Sequence, residues 1–185
     1  MRKWLKNALV VTIAVFLLAY PIWAFYSLLQ TGLGENVPVT ADETTEQLTD
    51  SLTVDCQTDK EKVHKFYSWI VQNIEYDYSR NGVYQYFSAK TTIETKKGIC
   101  FDYANLFAVM CRYADIPCYI VDGYRCDDKS KKHTWNRVYY DDTWWNLDTT
   151  NDSIRLKQGI ALYGFVDIGN DYTMPDKDYV ITRYY

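Results

Sequence analysis

Three residues of this 185-residue chain have the types that covalent acyl transfer requires, namely Cys100, His133 and Asp148. Cys100 follows Gly98-Ile99 at the predicted start of a helix. The free N–H groups and the dipole at such a start favour thiolate over thiol, and the same N–H groups stabilise an oxyanion. A thiolate nucleophile also needs a proton-transfer partner. The pattern therefore predicts that Cys100 is a nucleophile.

The chain contains only two histidines, so histidine-dependent chemistry must use one of them. His64 lies off the apolar stripe of a helix predicted over residues 59–74, and we expect it to face solvent. His133 lies in a predicted strand and is the base that we assign to the thiol. Two histidines also exclude a His-rich metal site, and we expect neither a metal nor an organic cofactor.

A predicted hairpin brings an acid close to His133. Strands are predicted over residues 133–140 and 143–148, joined by a two-residue turn. In that register Asp148 lies one diagonal step from His133 on the same face. We expect Asp148 to hold the imidazole in the tautomer that the thiol needs, as the acid does in a Ser-His-Asp site.

Each of these three residues also has an ordinary structural explanation. A cysteine in a helix is usually a small core residue. A histidine in a strand is usually structural, and Asp148 could simply end a strand. The joint placement of a nucleophile, a base and an orienting acid is what favours chemistry.

The order of the predicted elements indicates an α+β fold. Helices over residues 59–74 and 100–114 precede strands over residues 118–124, 133–140 and 143–148. Helices followed by an antiparallel sheet are typical of that class. The connection over residues 75–98 is long, and long connections in compact domains are often functional. The tail ALYGFVDIGNDY adds a strand or a short helix.

The first 30 residues differ sharply from the rest of the chain. They carry +3, so the remainder carries −7 of the total charge of −4. Residues 8–29 are almost purely apolar, and as a helix they would span roughly 33 Å, enough to cross a bilayer. The basic residues precede this segment, which predicts a cytoplasmic N-terminus and an extracytoplasmic domain. An uncleaved signal anchor is favoured over a cleaved signal peptide and over a buried core helix.

The remaining domain boundaries follow from composition. Residues 31–51 are rich in Thr, Asp, Glu and Gly, which predicts a flexible linker. Residues 52–185 then form the domain proper, which is long enough for one core. A sequence pI near 5.2 argues against nucleic-acid binding.

Residues 60–152 strongly resemble the transglutaminase-like superfamily. The resemblance rests on the runs KKGICFDYANLFAVMCRYADIPCYIVDGY and HTWNRVYYDDTWWNLDTT. They contain glycine-x-cysteine opening a helix, an alanine, a small-Ile-Pro turn, His-x-Trp-Asn on one strand and Trp-aromatic before Asp-x-Thr. In this chain these are Gly98, Cys100, Ala104, Ile116-Pro117, His133, Trp135-Asn136, Trp144-Trp145, Asp148 and Thr150.

The resemblance implies a papain-like α+β fold and a Cys-His-Asp triad formed by Cys100, His133 and Asp148. Asp115 departs from the pattern, since glycine is more common before Ile-Pro, and this changes only the turn. The chain lacks the CxxC pairs of the zinc-containing branch. From their positions we expect side chains at the oxyanion or substrate to come from Gln85, Tyr84, Tyr86 and Trp135.

The other cysteines have structural explanations. Cys111 lies at nearly the same helix azimuth as Cys100 and is expected in the core. Cys56, Cys118 and Cys126 could form disulfides in an extracytoplasmic domain, although their connectivity cannot be deduced.

The function predicted is that of a membrane-anchored extracytoplasmic thiol enzyme acting on amide bonds through an acyl-enzyme. Water as the acceptor gives a peptidase or amidase, and an amine gives a transglutaminase. The expected substrate is a protein or peptide, such as a cell-wall peptide. The alternative is a non-catalytic binding or scaffold module that retains the fold. A disulfide-exchange protein is disfavoured because the chain has no CxxC.

Overall fold

The helices of the first half surround the segment that carries Cys100. The computed structural model describes residues 40–80, 86–125, 128–167, 173–174 and 177–184. In chain order the first elements are α1 (Glu43–Thr53), α2 (Asp59–Asn73), β1 (Glu75–Tyr76), a 3₁₀ turn (Tyr78–Arg80), α3 (Ala89–Thr95), β2 (Lys97–Gly98) and α4 (Cys100–Tyr113). Strands β1 and β2 form a short parallel pair.

An antiparallel sheet makes up most of the second half. Its elements are β3 (Cys118–Arg125), β4 (Asp128–Tyr140), β5 (Thr143–Leu147), α5 (Thr149–Lys157), β6 (Val166–Asp167), β7 (Thr173–Met174) and β8 (Lys177–Tyr184). The strand order is β6-β5-β4-β3-β8-β7, and every pair is antiparallel. The predicted α+β class is therefore confirmed.

Helix α4 is the centre of the core. Every residue from Phe101 to Cys111 is buried, so the helix has no free face along most of its length. A helix of that kind must be covered on all sides. Strands β3 and β4 cover one side, and the other helices pack around the rest. The two ends of this core helix reach solvent, because Cys100 is partly exposed at its start and Tyr113 is exposed at its end.

Helix α2 follows its sequence signals closely. Thr58 caps its start, and the Glu61 side chain completes a capping box with the Thr58 backbone. The helix ends at Asn73, one residue before the predicted end. His64 is exposed, as predicted, and its ring packs beside Phe165 at 4.3 Å between centroids.

The predicted linker over residues 31–51 is wrong for the part that the structure describes. Residues 43–51 belong to α1, which starts at the N-cap Asp42 and packs on the core through Leu48. Thr45 and Thr49 are buried in it, although their composition suggested a spacer. The Thr49 hydroxyl donates to the Thr45 carbonyl oxygen at 2.7 Å, so burial leaves it satisfied.

The strand predictions are confirmed except at their ends. Strand β4 starts at Asp128, five residues before the predicted start, and β5 ends at Leu147, one residue before the predicted end. Helix α5 follows directly, where no helix was predicted. Within the tail, the structure describes the short strand β6.

Aspartates occupy left-handed backbone positions in two turns. Asp141 and Asp142 have φ values of 51° and 57°, which make the predicted two-residue turn of the β4–β5 hairpin. Tyr140 pairs with Thr143 across it, as predicted. Asp115 has a φ of 59°, a conformation that glycine adopts without strain and aspartate tolerates better than most residues. Its departure from the superfamily pattern therefore leaves the turn in place.

The cysteines that the structure describes are all free thiols. They are Cys56, Cys100, Cys111 and Cys118. Cys111 is in the core, as predicted, and Cys118 is buried beside it. Cys118 therefore does not form the disulfide that the sequence allowed, and Cys126 lies outside the described residues.

The predicted membrane segment also lies outside the described residues, since these begin at residue 40. Among the helices that the structure does describe, none is both long enough and apolar enough to cross a bilayer. The anchor over residues 8–29 stays a prediction.

Candidate active site

The side chains of His133 and Asp148 are in direct contact. The Nε2 atom of His133 lies within hydrogen-bonding distance of the Asp148 Oδ2 atom. The Asp148 carboxylate is fully buried, and the His133 side chain is 12% exposed. The pairing that the sequence predicted is therefore present, and it leaves Nδ1 of the imidazole for a different partner.

Asp148 reaches His133 from a helix start and not from a strand. It is the N-cap of α5, and its Oδ1 atom accepts a hydrogen bond from the Asn151 backbone N–H at 2.9 Å. The Asn151 side-chain amide donates to Oδ2 at 2.6 Å. These hydrogen bonds hold the carboxylate in one orientation, which fixes the side of the imidazole that it meets.

The thiol of Cys100 also contacts His133. Cys100 is the first residue of α4, and its side chain is partly exposed. It forms a side-chain hydrogen bond with His133. The structure thus brings Cys100, His133 and Asp148 together in the order of a nucleophile, a base and an orienting acid.

The charge state of His133 follows from these contacts. Burial of the ring disfavours protonation, but the Asp148 carboxylate and the hydrogen bonds to Asp148 and Cys100 outweigh it, raising the pKa of His133 to about 10. The imidazolium is therefore the favoured form at neutral pH.

The backbone before Cys100 is held by Asp102. The Asp102 carboxylate is fully buried and accepts hydrogen bonds from the backbone N–H groups of Ile99 at 2.9 Å and Phe87 at 2.6 Å. Gly98 is required beside it, because a Cβ there would lie 2.8 Å from the Asp102 Cβ. These contacts fix the direction in which α4 starts, and with it the position of Cys100.

Arg80 supplies the charge that balances Asp102. Its Nη1 atom lies 2.6 Å from the Asp102 Oδ2 atom, and its guanidinium group lies over the Phe87 ring at 3.5 Å. Burial raises the pKa of the Asp102 carboxyl, whereas Arg80 and the two backbone donors oppose that shift. The short distance to Arg80 indicates an ionised pair.

Tyr76 is a site residue that the sequence interpretation missed. It lies on β1 and pairs with Gly98 on β2, two residues before the thiol. Burial, followed by the nearby charge of Cys100, raises the pKa of Tyr76 to about 12. Its hydroxyl therefore stays protonated and can donate a hydrogen bond near the nucleophile. The run NIEYDY over residues 73–78 contains this tyrosine, but only the β1–β2 pairing places it beside Gly98.

The four residues predicted at the oxyanion or substrate are placed differently. Gln85 and Tyr84 lie outside the described residues. Tyr86 stacks on the Phe101 ring at 4.0 Å, one residue after the nucleophile. Trp135 is only 1% exposed and stacks on His133 at 6.0 Å, so it is placed to support the imidazole.

Within the part of the chain that the structure describes, no group of three or more His, Cys, Asp or Glu side chains could hold a metal ion.

Replacing Asp102 with asparagine should destabilise the fold. Asp102→Asn leaves Arg80 without its counter-charge and removes an acceptor from the backbone at Phe87 or Ile99. Breaking a buried pair in this way costs about 3 kcal/mol of the free energy of unfolding, measured by urea denaturation. The exposed Asp115→Asn is the control and should have little effect. Equal stability of the two variants would contradict the proposed stabilising role of the Asp102 carboxylate.

The raised pKa of His133 should make stability depend on pH. The folded protein holds this proton up to about pH 10, whereas the unfolded chain releases it near the ordinary histidine value. The contribution is fully present below that ordinary value, and the free energy of unfolding then falls as the pH rises towards 10. Urea denaturation across this range should show the decline in the wild type and in His64→Gln, and a shallower one in His133→Gln. Identical slopes in all three would rule out the raised pKa.

Comparison with known proteins supports this geometry at the level of the family. The pattern of the transglutaminase-like superfamily matches residues 46–149. The human kyphoscoliosis peptidase is 32% identical over 123 residues, which are 60% of this chain and 19% of that protein. An uncharacterised protein of Mycobacterium leprae is 28% identical over 114 residues, 57% of this chain and 38% of that protein. The match therefore spans well under half of each of these relatives.

A solved structure shows the same fold. A candidate cysteine protease from Cytophaga hutchinsonii superposes with a TM-score of 0.52 at 22% identity, covering 83% of this chain and 52% of that one. Together with a superfamily pattern that matches more than half of the sequence, this shows that the chain belongs to the transglutaminase-like superfamily.

Proposed function

We propose that this protein is a thiol enzyme that cleaves or transfers amide bonds through an acyl-enzyme on Cys100. The observation that carries the proposal is the hydrogen-bonded series from Cys100 through His133 to a buried Asp148. A merely structural cysteine has no need of a charged imidazole at a helix start.

In the first step the Cys100 sulfur attacks the carbonyl carbon of an amide. The carbon–sulfur bond forms while the carbonyl electrons move to oxygen, and we assign the stabilisation of that charge to the backbone N–H of Cys100 and the hydroxyl of Tyr76. The carbon–nitrogen bond then breaks, and His133 gives its proton to the departing amine. The product is a thioester, and Asp148 keeps the imidazole aligned throughout.

In the second step an acceptor attacks the thioester. His133 takes a proton from water or from an amine, the carbon–sulfur bond breaks, and the Cys100 thiolate is restored. Water gives a carboxylic acid, and an amine gives a new amide. We favour hydrolysis because the domain is small and because the human relative is named as a peptidase.

The remaining parts of the proposal concern place and substrate. The basic flank and the apolar run over residues 8–29 support a single membrane anchor with the N-terminus in the cytoplasm. The domain then acts outside the cytoplasm. Its substrate is a protein or peptide, and a cell-wall peptide fits an enzyme held at that surface.

Cys100 should be unusually reactive in the folded protein. Because the His133 imidazolium favours the thiolate, iodoacetamide at neutral pH should label Cys100 faster than it labels the same thiol in urea. His133→Gln should remove that advantage, and Cys56→Ala should leave it intact.

Mass spectrometry of the full-length protein after incubation with a peptide library, with and without a primary amine, should detect an acyl adduct on Cys100. An unreactive Cys100 with no adduct would favour a non-catalytic scaffold.

Removing the Tyr76 hydroxyl should slow the reaction without weakening substrate binding. Loss of one oxyanion donor lowers kcat by about 10²–10³-fold, and KM changes little because the charge develops only in the transition state. Tyr76→Phe should show this behaviour with a peptide substrate that the library identifies. Tyr78→Phe is the matched control, since Tyr78 is exposed and packs on Tyr76. A normal kcat for Tyr76→Phe would remove this tyrosine from the mechanism.

A further inference from the structure

A cavity lies on the sheet, and none of its lining residues belongs to the contacts described around Cys100. Its volume is about 500 Å³, and it is lined by Tyr119, Arg137, Trp144 and Tyr184. The Tyr119 ring stacks on Trp144 at 5.2 Å and meets Tyr184 edge-on at 5.8 Å. Tyr119 and Tyr184 are 44% and 39% exposed, so these rings present aromatic surface to solvent.

Among the described residues that line this cavity, Arg137 is the only charged one. Its guanidinium group lies 5.8 Å from the Trp144 ring centre, and Nη1 donates to the Tyr184 hydroxyl at 3.4 Å. No ion pair joins it to a carboxylate in the described part of the chain. An arginine without an ion pair is notable here, because residues 31–185 together carry a net charge of −7.

Two buried hydrogen-bond donors, one on Arg137 and one on its neighbour Asn146, lack acceptors among the described residues. The buried Nε atom of Arg137 has no hydrogen-bond acceptor among the described residues. Asn146 pairs with Arg137 across strands β4 and β5, is 1% exposed, and its Nδ2 atom lacks an acceptor there as well. Paired residues of neighbouring strands project to the same side of a sheet. Buried donors without acceptors are costly, so a ligand that brings acceptors to Arg137 fits this surface better than one that brings further donors.

A carboxylate next to a flat apolar group fits both halves of the cavity. Carboxylates pair with a guanidinium group through two parallel hydrogen bonds, and aromatic walls favour a ring or an apolar side chain. A neutral saccharide could use the aromatic walls, but it would leave the charge of Arg137 uncompensated. The chemistry therefore points to an acidic ligand.

The position of the cavity connects it with the site of acyl transfer. Arg137 and His133 lie four residues apart on β4, and the β3–β4 register is continuous between them. Residues at even spacing share a face of a strand, and four residues of strand span about 13 Å. An extended peptide of about four residues covers the same distance.

We propose that this cavity is a substrate subsite that binds a carboxylate of a peptide, about four residues from the amide bond that Cys100 attacks. The inference rests on the proposed function for its distance, but its binding chemistry does not depend on a reactive thiol. The carboxylate belongs either to the C-terminus of the peptide or to an acidic side chain beside an apolar residue.

Binding of short peptides to the full-length protein tests the subsite. The probes are acetylated Ala-Ala-Ala-Phe with a free C-terminal carboxylate, the same peptide as its C-terminal amide, and Ala-Ala-Glu-Phe amide. Calorimetry should show that the free acid binds at least about tenfold more tightly than the first amide. Tight binding of the glutamate peptide would assign the carboxylate to a side chain, and weak binding would assign it to the C-terminus.

Variants separate the charge from the fold. Arg137→Gln should remove the preference for the acid, while Arg137→Lys should retain part of it, because lysine keeps the charge but not the planar fork. Arg155→Gln is the matched control, since Arg155 also lies over an aromatic ring, that of Tyr163 at 4.0 Å. Circular dichroism of each variant shows whether it is folded. Equal binding of acid and amide to the folded wild type would overturn the proposal. Chitotriose serves as the neutral saccharide probe, and the proposal would also fail if chitotriose bound more tightly than the acid peptide and its affinity were unchanged in Arg137→Gln.

The same measurements distinguish this inference from the proposed function. Cys100→Ala should bind the acid peptide as the wild type does. If Cys100 is unreactive but the acid preference depends on Arg137, only the enzymatic proposal fails. If Cys100 forms an acyl adduct but acid and amide bind equally, only the subsite fails.

Discussion

The hydrogen bonds of the buried Asp102 carboxylate are the interaction on which the position of Cys100 depends. This carboxylate joins three separate parts of the chain, because its partners are Arg80, the backbone at Phe87 and the backbone at Ile99. Each part is short and has little regular structure of its own. A fully desolvated charge with three donors tolerates few alternative arrangements. The loop region before α4 is therefore specified by one side chain inside that helix.

Asp148, the acid beside His133, likewise has more than one contact with the surrounding fold. Asp148 follows strand β5 directly, and its one carboxylate both caps α5 and contacts His133. The same helix carries Asp152, whose buried carboxylate accepts a hydrogen bond from Tyr67 on α2 at 2.6 Å. The orientation of His133 thus depends on packing between α5 and α2, and not only on the sheet that carries the histidine. Site geometry and domain stability are consequently coupled.

Local signals in the sequence were sufficient for most of the elements and for the central three residues of the site. The capping box at Thr58 and the two-residue turn at Asp141 each act within a few residues, so they could be interpreted without a structure. The contribution of Tyr76 depends on a parallel pairing with Gly98, across more than twenty residues, for which the sequence carries no local signal. Helix α1 was missed for a different reason. Its buried threonines hydrogen-bond within their own helix, and composition does not report such satisfaction.

The burial of α4 from Phe101 to Cys111 limits where a reactive thiol can lie near the start of this helix. Moving the thiol one position along the helix would rotate it by about 100° and place it among residues that no solvent reaches. An insertion or deletion near residues 98–100 therefore cannot be compensated by placing the reactive thiol at a neighbouring position of the helix. Variation in specificity has to come from the surfaces around a fixed point of attack, which makes the sheet and the connecting segments the natural places to redesign this protein.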